Sequence, residues 1–254
     1  MNLNLTNKIA LVTGGSRGIG AAICRGLAAE GVRVGVNYSA SAEKAEAVAE
    51  GIRRDFSVDA IAVKGNLEVE ADILALFDAL ETRWGAPVDI LVNNAAYCPG
   101  GPLQSYSVEE WEKTFRVNVT GCFVASKEHI RRLIAAHQRG TIVNIASQAA
   151  FLGSTSGHLP YDSSKGAMIS MTRALAREVG KHGINVNAIA PGLVKTEMVA
   201  DKLAAKLDFY LSRIPINRIA EPEDIANATV FLASDAAAYM TGATLDLTGG
   251  MMMH

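Results

Sequence analysis

An α/β fold with a doubly wound, mostly parallel sheet is predicted for this chain, because short β-branched runs alternate with longer segments of helical periodicity. The segments between the runs hold roughly 12 to 25 residues, which is enough for helical crossovers that keep successive strands parallel. Neither a Pro/Ser-rich linker nor an internal repeat interrupts the pattern, so residues 1–254 are expected to form a single domain. The seven predicted strands are 9–12, 32–36, 60–63, 90–92, 141–145, 184–189 and 244–247.

Composition and charge exclude several classes of protein. Hydrophobic residues make up 49% of the chain, charged residues 20%, and the net charge is -2, so there is no basic excess to bind nucleic acid. No apolar run approaches the roughly 18 residues of a membrane span, and the N-terminus lacks an export signal, which favours the cytoplasm. Cys24, Cys98 and Cys122 are too few and too widely spaced for a disulfide framework or a metal site.

A glycine-rich turn follows the first strand directly, in the sequence TGGSRGIG of residues 13–20. Gly14 allows a sharp turn, Gly18 allows the backbone to approach a pyrophosphate, and Gly20 allows the next helix to pack closely on the sheet. The free N–H groups at the start of that helix favour anion binding. The turn therefore predicts a dinucleotide site, although such a motif alone can also be a tight loop.

The second strand indicates which dinucleotide is preferred. Dinucleotide folds that bind NAD carry an acidic residue there for the ribose hydroxyls, whereas this chain has Asn37, Tyr38 and Ser39. Without a carboxylate to repel a 2′-phosphate, and with Arg17 in the turn to attract one, NADP is favoured and NAD remains possible. The alternative is that Arg17 only faces solvent.

Polar residues also follow the third and fourth strands. Asn66 and Leu67 could line an adenine site after the third strand. After the fourth strand, the amides of Asn93 and Asn94 could tie neighbouring strand ends together, or residues 93–96 could simply form a turn.

Tyr161 and Lys165 lie four positions apart in an amphipathic segment that extends to about residue 181. A helix places them on one face within reach of one substrate. A neighbouring ammonium is expected to lower the pKa of a phenol toward neutrality, so Tyr161 is the predicted acid/base and Lys165 the residue that tunes it.

Ser147 follows the fifth strand at the same edge of the sheet. Its hydroxyl could hold a substrate oxygen together with Tyr161, or it could cap a helix or loop. A serine hydrolase is excluded, since Ser147 is not part of a G-x-S-x-G motif.

Taken together, these residues resemble the short-chain dehydrogenase/reductase family over nearly the whole chain. The similarity rests on the glycine turn, residues 93–96, Asn118, Ser147, the Tyr161/Lys165 pair, and Pro191, Gly192 and Thr196. It implies a Rossmann-like fold and a catalytic tetrad of Asn118, Ser147, Tyr161 and Lys165, in which Asn118 anchors a water that relays protons to Lys165. It also implies that Lys165 binds the nicotinamide ribose, that Val194 and Thr196 meet the carboxamide and pyrophosphate, and that the protein is a homotetramer, with a homodimer possible.

The complete set of cofactor-binding residues expected from the turn and the resemblance is Gly14, Ser16, Arg17, Gly18, Ile19, Gly20, Tyr38, Ser39, Asn66, Leu67, Asn93, Ala95, Tyr161, Lys165, Pro191, Gly192, Val194 and Thr196. The chain departs from the family pattern at three places. Ala96 replaces a glycine, Asn66 stands where aspartate is usual, and the interval from Ser147 to Tyr161 is one residue longer.

The sequence thus predicts an NADP(H)-dependent oxidoreductase that interconverts a secondary alcohol, or a sugar or polyol hydroxyl, and its carbonyl. A 3-oxoacyl-thioester reductase of fatty-acid synthesis is the alternative within the same chemistry. A dinucleotide-binding redox sensor would not need the Tyr161/Lys165 pair, and a methyltransferase would need an acidic residue near Tyr38. Residues 191–215, the least regular stretch, are expected to form a substrate lid.

Overall fold

The computed structural model describes residues 3–154, 157–197 and 200–253, leaving out the side chains of 200–205. It contains one seven-stranded sheet in the order β3-β2-β1-β4-β5-β6-β7, and every pair of neighbouring strands is parallel. The strands are β1 (Ile9–Val12), β2 (Arg33–Tyr38), β3 (Ala60–Lys64), β4 (Ile90–Asn93), β5 (Gly140–Ile145), β6 (Ile184–Pro191) and β7 (Thr244–Leu247). The predicted doubly wound α/β fold is confirmed.

Helices connect the strands and cover both faces of the sheet. They are α1 (Gly18–Ala29), α2 (Ala42–Phe56), α3 (Glu70–Trp84), α4 (Val108–Phe115), α5 (Gly121–Ala135), α6 (Ala149–Leu152), α7 (Leu159–Val179), α8 (Ala200–Leu211) and α9 (Pro222–Ala233). A π-helical turn, Arg116–Thr120, joins α4 to α5.

The core has one layer on each face of the sheet, because successive side chains of a strand point to opposite faces. In β1, Ala10 and Val12 pack with residues of α1, α2 and α9. Ile9 and Leu11 pack with residues of α3 and α5 on the other face. All four positions are fully buried, which explains why the strand is a continuous apolar run.

The order of the strands reverses at β1, which lies between β2 and β4. Crossovers leave this point in opposite directions, and open α/β sheets bind ligands in the crevice outside the carboxyl ends of such strands. The glycine turn follows β1 at this edge, and Ser147 follows β5 there.

Four strands extend beyond their predicted ends, β3 and β4 by one residue each and β2 and β6 by two. β2 continues to Tyr38, since Asn37 pairs with Val63 and Tyr38 with Lys64 in β3. β6 likewise continues to Pro191, which pairs with Leu247. Asn37 therefore belongs to the sheet rather than to the loop that follows it.

The predicted lid, residues 191–215, is less irregular than its composition indicates. It contains α8, which is kinked at Lys206 (φ -141°, ψ 31°). Residues 198 and 199, between the end of β6 and α8, lie outside the described residues.

The described residues contain neither a candidate membrane span nor a candidate metal site. No helix among them has both the length and the apolar character that a membrane crossing requires. Within the same residues, no group of three or more His, Cys, Asp or Glu side chains is arranged to hold a metal ion.

Candidate active site

The glycine turn has the backbone geometry that its sequence predicts. Gly14 (φ +63°) and Gly18 (φ +52°) occupy the left-handed region that favours glycine. A Cβ atom at Gly20 would overlap the carbonyl oxygen of Gly14. At the N-terminus of α1, Arg17 makes no side-chain capping hydrogen bond, and the first turn contains no acidic residue. These features fit the pyrophosphate of a dinucleotide, which can accept from the N–H groups of the first turn.

Asn37 holds this turn in place from the neighbouring strand. Its Oδ1 accepts from the Gly14 N–H (3.1 Å), and its Nδ2 donates to the Gly65 carbonyl (3.0 Å). The side chain is buried. Sequence reasoning placed Asn37 at the ribose site and missed this role. The signal it could have used is a carboxamide within a buried strand, where both a donor and an acceptor need partners.

Thr13 and Asn94 fasten β4 to the same turn. The Thr13 hydroxyl oxygen accepts from the backbone N–H groups of Asn94 (2.9 Å) and Ala95 (3.1 Å). The Asn94 amide donates to the carbonyls of Thr13 (2.9 Å) and Gly14 (3.1 Å). The prediction that amides tie neighbouring strand ends together is confirmed here.

The Asn93 side chain makes a second tie, deeper in the sheet. Its Nδ2 donates to Asn144 Oδ1 (2.8 Å) in β5 and to Ser126 Oγ (3.1 Å) in α5. The amide is buried among these groups, so it does not face the crevice. These bonds occupy the amide nitrogen of Asn93, and its predicted cofactor contact stays a prediction.

Tyr161 and Lys165 lie together near the start of α7, as their spacing predicts. The Lys165 ammonium nitrogen is 5.5 Å from the centroid of the Tyr161 ring. It donates a hydrogen bond to the Ile145 carbonyl at the end of β5 (2.6 Å). Lys165 is only 1% exposed, so α7 and β5 jointly fix its position.

The electrostatic expectation for this pair is only partly met. Burial lowers the pKa of Lys165 to about 8, against the raising effects of Cys122 and Cys98. Burial raises the pKa of Tyr161, whereas a hydrogen bond with Ser147 lowers it. The predicted lowering of the Tyr161 pKa by Lys165 is therefore wrong in this structure. The phenol is desolvated, and the ammonium gives its hydrogen bond to Ile145 instead.

Ser147 combines the two roles considered for it. Its hydroxyl oxygen accepts from the backbone N–H of Ala149 (3.1 Å), which caps the short helix α6. The same side chain is hydrogen-bonded to Tyr161. Ser147 and Tyr161 thus present two hydroxyl groups to one place at the carboxyl edge of the sheet.

Asn118 lies in the π-helical turn and is fully buried. Its Oδ1 accepts from the Tyr97 N–H (2.7 Å), and its Nδ2 donates to Ser164 Oγ (2.9 Å). Asn118 thereby links the segment after β4 to α7, beside Tyr161 and Lys165. Single π-helical turns are frequent at functional sites. Its role in anchoring a water stays a prediction.

Four of the other predicted cofactor residues lie at the edge of the sheet that carries the glycine turn. Arg17 is exposed at the start of α1, Tyr38 ends β2, and Ser39 follows it. Thr196 packs its methyl group 3.4 Å from the position that a Cβ of Gly18 would take. The start of the predicted lid thus covers the glycine turn.

Other predicted residues are engaged in local structure. Asn66 Oδ1 accepts from the Glu68 N–H (3.1 Å), so this part of its amide stabilises its own turn. Leu67 is buried, and Val194 is buried beside a β-bridge to Ala220. Gly192 packs closely against Thr248. The contacts predicted between these residues and a cofactor stay predictions.

One wall of the crevice is held together by hydrogen bonds between the segment after β4 and the residues before α7. The Gly101 N–H and the Tyr106 hydroxyl both donate to the Gly157 carbonyl (2.9 Å each). His158 Nδ1 lies 2.8 Å from the Pro99 carbonyl oxygen and 3.9 Å from Cys98 Sγ. The sequence did not indicate that these two segments are joined.

Comparison with known proteins agrees with this geometry. Residues 14–252 match a family model described as "Enoyl-(Acyl carrier protein) reductase". The chain is 37% identical over 251 residues to the 3-oxoacyl-[acyl-carrier-protein] reductase FabG of Aquifex aeolicus, covering 99% of this chain and 100% of the relative.

Solved structures are similar over nearly the whole length. A short-chain dehydrogenase from Burkholderia cenocepacia in complex with NADP is 35% identical with a TM-score of 0.89, covering 97% of this chain and 98% of the other. A candidate 2-deoxy-d-gluconate 3-dehydrogenase from Agrobacterium tumefaciens with bound NADP is 35% identical with a TM-score of 0.86, covering 97% of each chain. The chain belongs to the short-chain dehydrogenase/reductase family, in its FabG-like branch, and is an oxidoreductase of that family.

Proposed function

We propose that the protein reduces the 3-oxo group of an acyl thioester carried on an acyl carrier protein, with NADPH as the reductant. A hydride adds to the carbonyl carbon, a proton adds to the oxygen, and the product is a 3-hydroxyacyl thioester. The observation that carries the proposal is the constellation of Tyr161, Ser147 and Lys165 beside the glycine turn. The FabG relative supports the choice of substrate.

Tyr161 and Ser147 act on the substrate oxygen. Both hydroxyls can donate to a carbonyl oxygen, which polarises the C=O bond and holds the carbon where it can accept hydride. Because burial raises the pKa of Tyr161, the phenol carries its proton at neutral pH and can deliver it to the developing alkoxide.

Lys165 assists the proton transfer from Tyr161. Burial dominates the pKa of the resting Tyr161 phenol. The Lys165 ammonium, held by the Ile145 carbonyl 5.5 Å from the centroid of the Tyr161 ring, would attract the negative charge that develops when the proton leaves. Asn118 fixes the backbone of Tyr97 and the Ser164 hydroxyl on either side. These contacts fix the position of α7 relative to the segment after β4.

NADPH, when bound, supplies the hydride. The residues that would hold it are the glycine turn with Arg17, the end of β2 at Tyr38 and Ser39, and Thr196 above the turn. Two observations favour NADPH over NADH: the lack of a carboxylate at Tyr38 and Ser39, and the NADP found with two similar structures.

We also propose a cytoplasmic homotetramer with residues 191–215 as a substrate lid. Several large apolar side chains along α4 and α5 are exposed, namely Val108, Trp111, Phe123 and Ile134. β7 pairs only with β6 among the described strands, which leaves its other edge available, and α9 lies nearby in the chain. These surfaces would be covered by association with further copies.

A second candidate is the oxidation of a secondary hydroxyl of a sugar acid or polyol. It is favoured by the similar structure from Agrobacterium tumefaciens. The same residues serve this direction, since Tyr161 would then remove the hydroxyl proton. The two candidates differ in the substrate and in the direction of hydride transfer.

A substrate panel followed by nicotinamide absorbance tests the proposal. NADPH is offered with 3-oxoacyl thioesters of increasing chain length, and NADP with gluconate-type sugar acids and polyols. Rapid consumption of NADPH with the thioesters is the expected result. Turnover of the sugar acids alone would replace the first candidate by the second, and turnover with NADH in preference to NADPH would contradict the cofactor assignment.

A further inference from the structure

An ion pair connects the predicted lid to the mouth of the dinucleotide crevice. The Lys44 ammonium donates to both carboxylate oxygens of Glu197, at 3.0 Å each. Lys44 lies in the first turn of α2, just beyond the end of β2. Glu197 lies beyond the end of β6, at the start of the predicted lid. The pair therefore bridges two segments that are far apart in the chain.

The glycine turn lies at the same place. Thr196, the residue before Glu197, packs over Gly18. A hydrogen bond from Lys44 lowers the pKa of Glu197, and the charge of Arg17 contributes in the same direction. A single carboxylate is thus close to two cations, one from the start of α1 and one from the start of α2.

These two cations are where a 2′-phosphate would be received. In dinucleotide folds the pyrophosphate lies at the start of the first helix and the adenosine ribose at the carboxyl end of the second strand. Arg17 occupies the first position, and Lys44 follows the second. Sequence reasoning identified only Arg17, because Lys44 is separated from Tyr38 by the loop between β2 and α2.

We propose that Glu197 competes with the 2′-phosphate of NADP for Lys44 and Arg17, and so is a specificity-determining residue. The carboxylate pairs with the cations in the free protein, and the phosphate displaces it. Glu197 is 70% and Lys44 51% exposed, and ion pairs this exposed are weak. A phosphate carries more charge and more acceptor oxygens than a carboxylate, so the exchange favours the nucleotide.

The consequence is selective. Removing the carboxylate frees the cations for the 2′-phosphate and strengthens NADP binding. NAD shares the pyrophosphate but lacks the 2′-phosphate that competes with Glu197, so its affinity should change much less. The inference rests on the NADP preference proposed above, but not on the identity of the substrate.

The test is a double-mutant cycle read by cofactor binding, with no turnover required. Dissociation constants for NADPH and NADH are measured by nucleotide fluorescence at low salt for the wild type, Glu197→Gln, Lys44→Gln and the double variant. We expect Glu197→Gln to tighten NADPH about two- to five-fold and Lys44→Gln to weaken it about ten-fold. In the Lys44→Gln background, the Glu197→Gln effect should shrink.

Glu221→Gln is the matched control. Glu221 pairs with Lys195 at 3.2 Å, and the two side chains are about as exposed as those of Lys44 and Glu197. Lys195 lies two positions before Glu197, so Glu221→Gln removes the same charge from the same region. Its NADPH affinity should equal that of the wild type, and thermal unfolding checks that all variants remain folded.

Three results would overturn the inference. They are unchanged or weaker NADPH binding in Glu197→Gln, equal tightening of NADPH and NADH, and a gain of the same size in Glu221→Gln. Tighter binding of NADH than NADPH by the wild type would instead refute the NADP preference itself, which separates the two failures.

Discussion

The Lys165 ammonium lies 5.5 Å from the centroid of the Tyr161 ring and donates to the Ile145 carbonyl at 2.6 Å. Both side chains belong to α7, and the hydrogen bond to the end of β5 fixes the position of the Lys165 ammonium. Burial moves the pKa of Tyr161 away from neutrality, so the phenol remains protonated. Of the two groups, only Lys165 has a pKa that is shifted toward neutrality.

This arrangement predicts a loss of carbonyl reduction at alkaline pH. The pKa of Lys165 in the folded protein, about 8, is below the ordinary lysine value of 10.5. Its ammonium form is present below pH 8 and is lost as the pH rises through that value. We expect kcat/KM for reduction to fall above pH 8, measured with saturating NADPH. A rate that stays constant up to pH 10 would contradict the role of the ammonium.

The same shift has a consequence for stability. Between pH 8 and 10.5 the unfolded chain binds the Lys165 proton more than the folded protein does, so this residue contributes stability that increases with pH in this window. The free energy of unfolding of the wild type should therefore rise relative to that of Lys165→Met over the same range. Denaturant unfolding at several pH values measures this difference. If the free energies of unfolding of the two proteins depend on pH in the same way, the pKa of Lys165 is not lowered in the folded protein.

Replacing Asn37 by aspartate should destabilise the fold. The substitution keeps the oxygen that accepts from the Gly14 N–H. It also replaces the amide nitrogen, which donates to the Gly65 carbonyl in the wild type, by a second carboxylate oxygen. We expect the free energy of unfolding to fall by about 1–3 kcal/mol. Asn185→Asp is the control, because Asn185 donates to the Ala238 carbonyl in an exposed setting, and its loss should be the smaller. Equal losses would show that Asn37 does not hold the glycine turn.

A carboxylate at Tyr38 should change the choice of cofactor. Tyr38→Asp supplies the acidic group that receives ribose hydroxyls and repels a 2′-phosphate at the end of β2. We expect the ratio of NADPH to NADH dissociation constants to rise by about ten-fold or more. Tyr38→Asn, which removes the ring without adding charge, is the control and should change the ratio much less. An unchanged ratio in Tyr38→Asp would place the 2′-phosphate elsewhere.

The fold and the catalytic edge could be predicted from the sequence because they depend on local patterns. The alternation of strands and helices fixes the parallel sheet, and the four-residue spacing of Tyr161 and Lys165 fixes their common helix face. Gly14 and Gly18 could be assigned from the turn alone, since their positive φ angles are a local requirement.

Contacts between distant segments could not be predicted in this way. Asn37 bonds to Gly14 and Gly65, and Lys44 bonds to Glu197, and neither pairing has a spacing that the sequence displays. The raised pKa of Tyr161 could not be predicted for a similar reason. Its value depends on how far the surrounding segments exclude water, which the Tyr161/Lys165 spacing does not reveal.

The most direct test of the account is the turnover of Tyr161→Phe with a 3-oxoacyl thioester and NADPH, together with its NADPH dissociation constant. Tyr239→Phe, at a fully exposed tyrosine, is the matched control and should behave as the wild type. We predict that Tyr161→Phe loses about 10²- to 10⁴-fold in kcat while it binds NADPH normally. Turnover close to that of the wild type, with NADPH still bound, would contradict the assignment of Tyr161 as the acid/base.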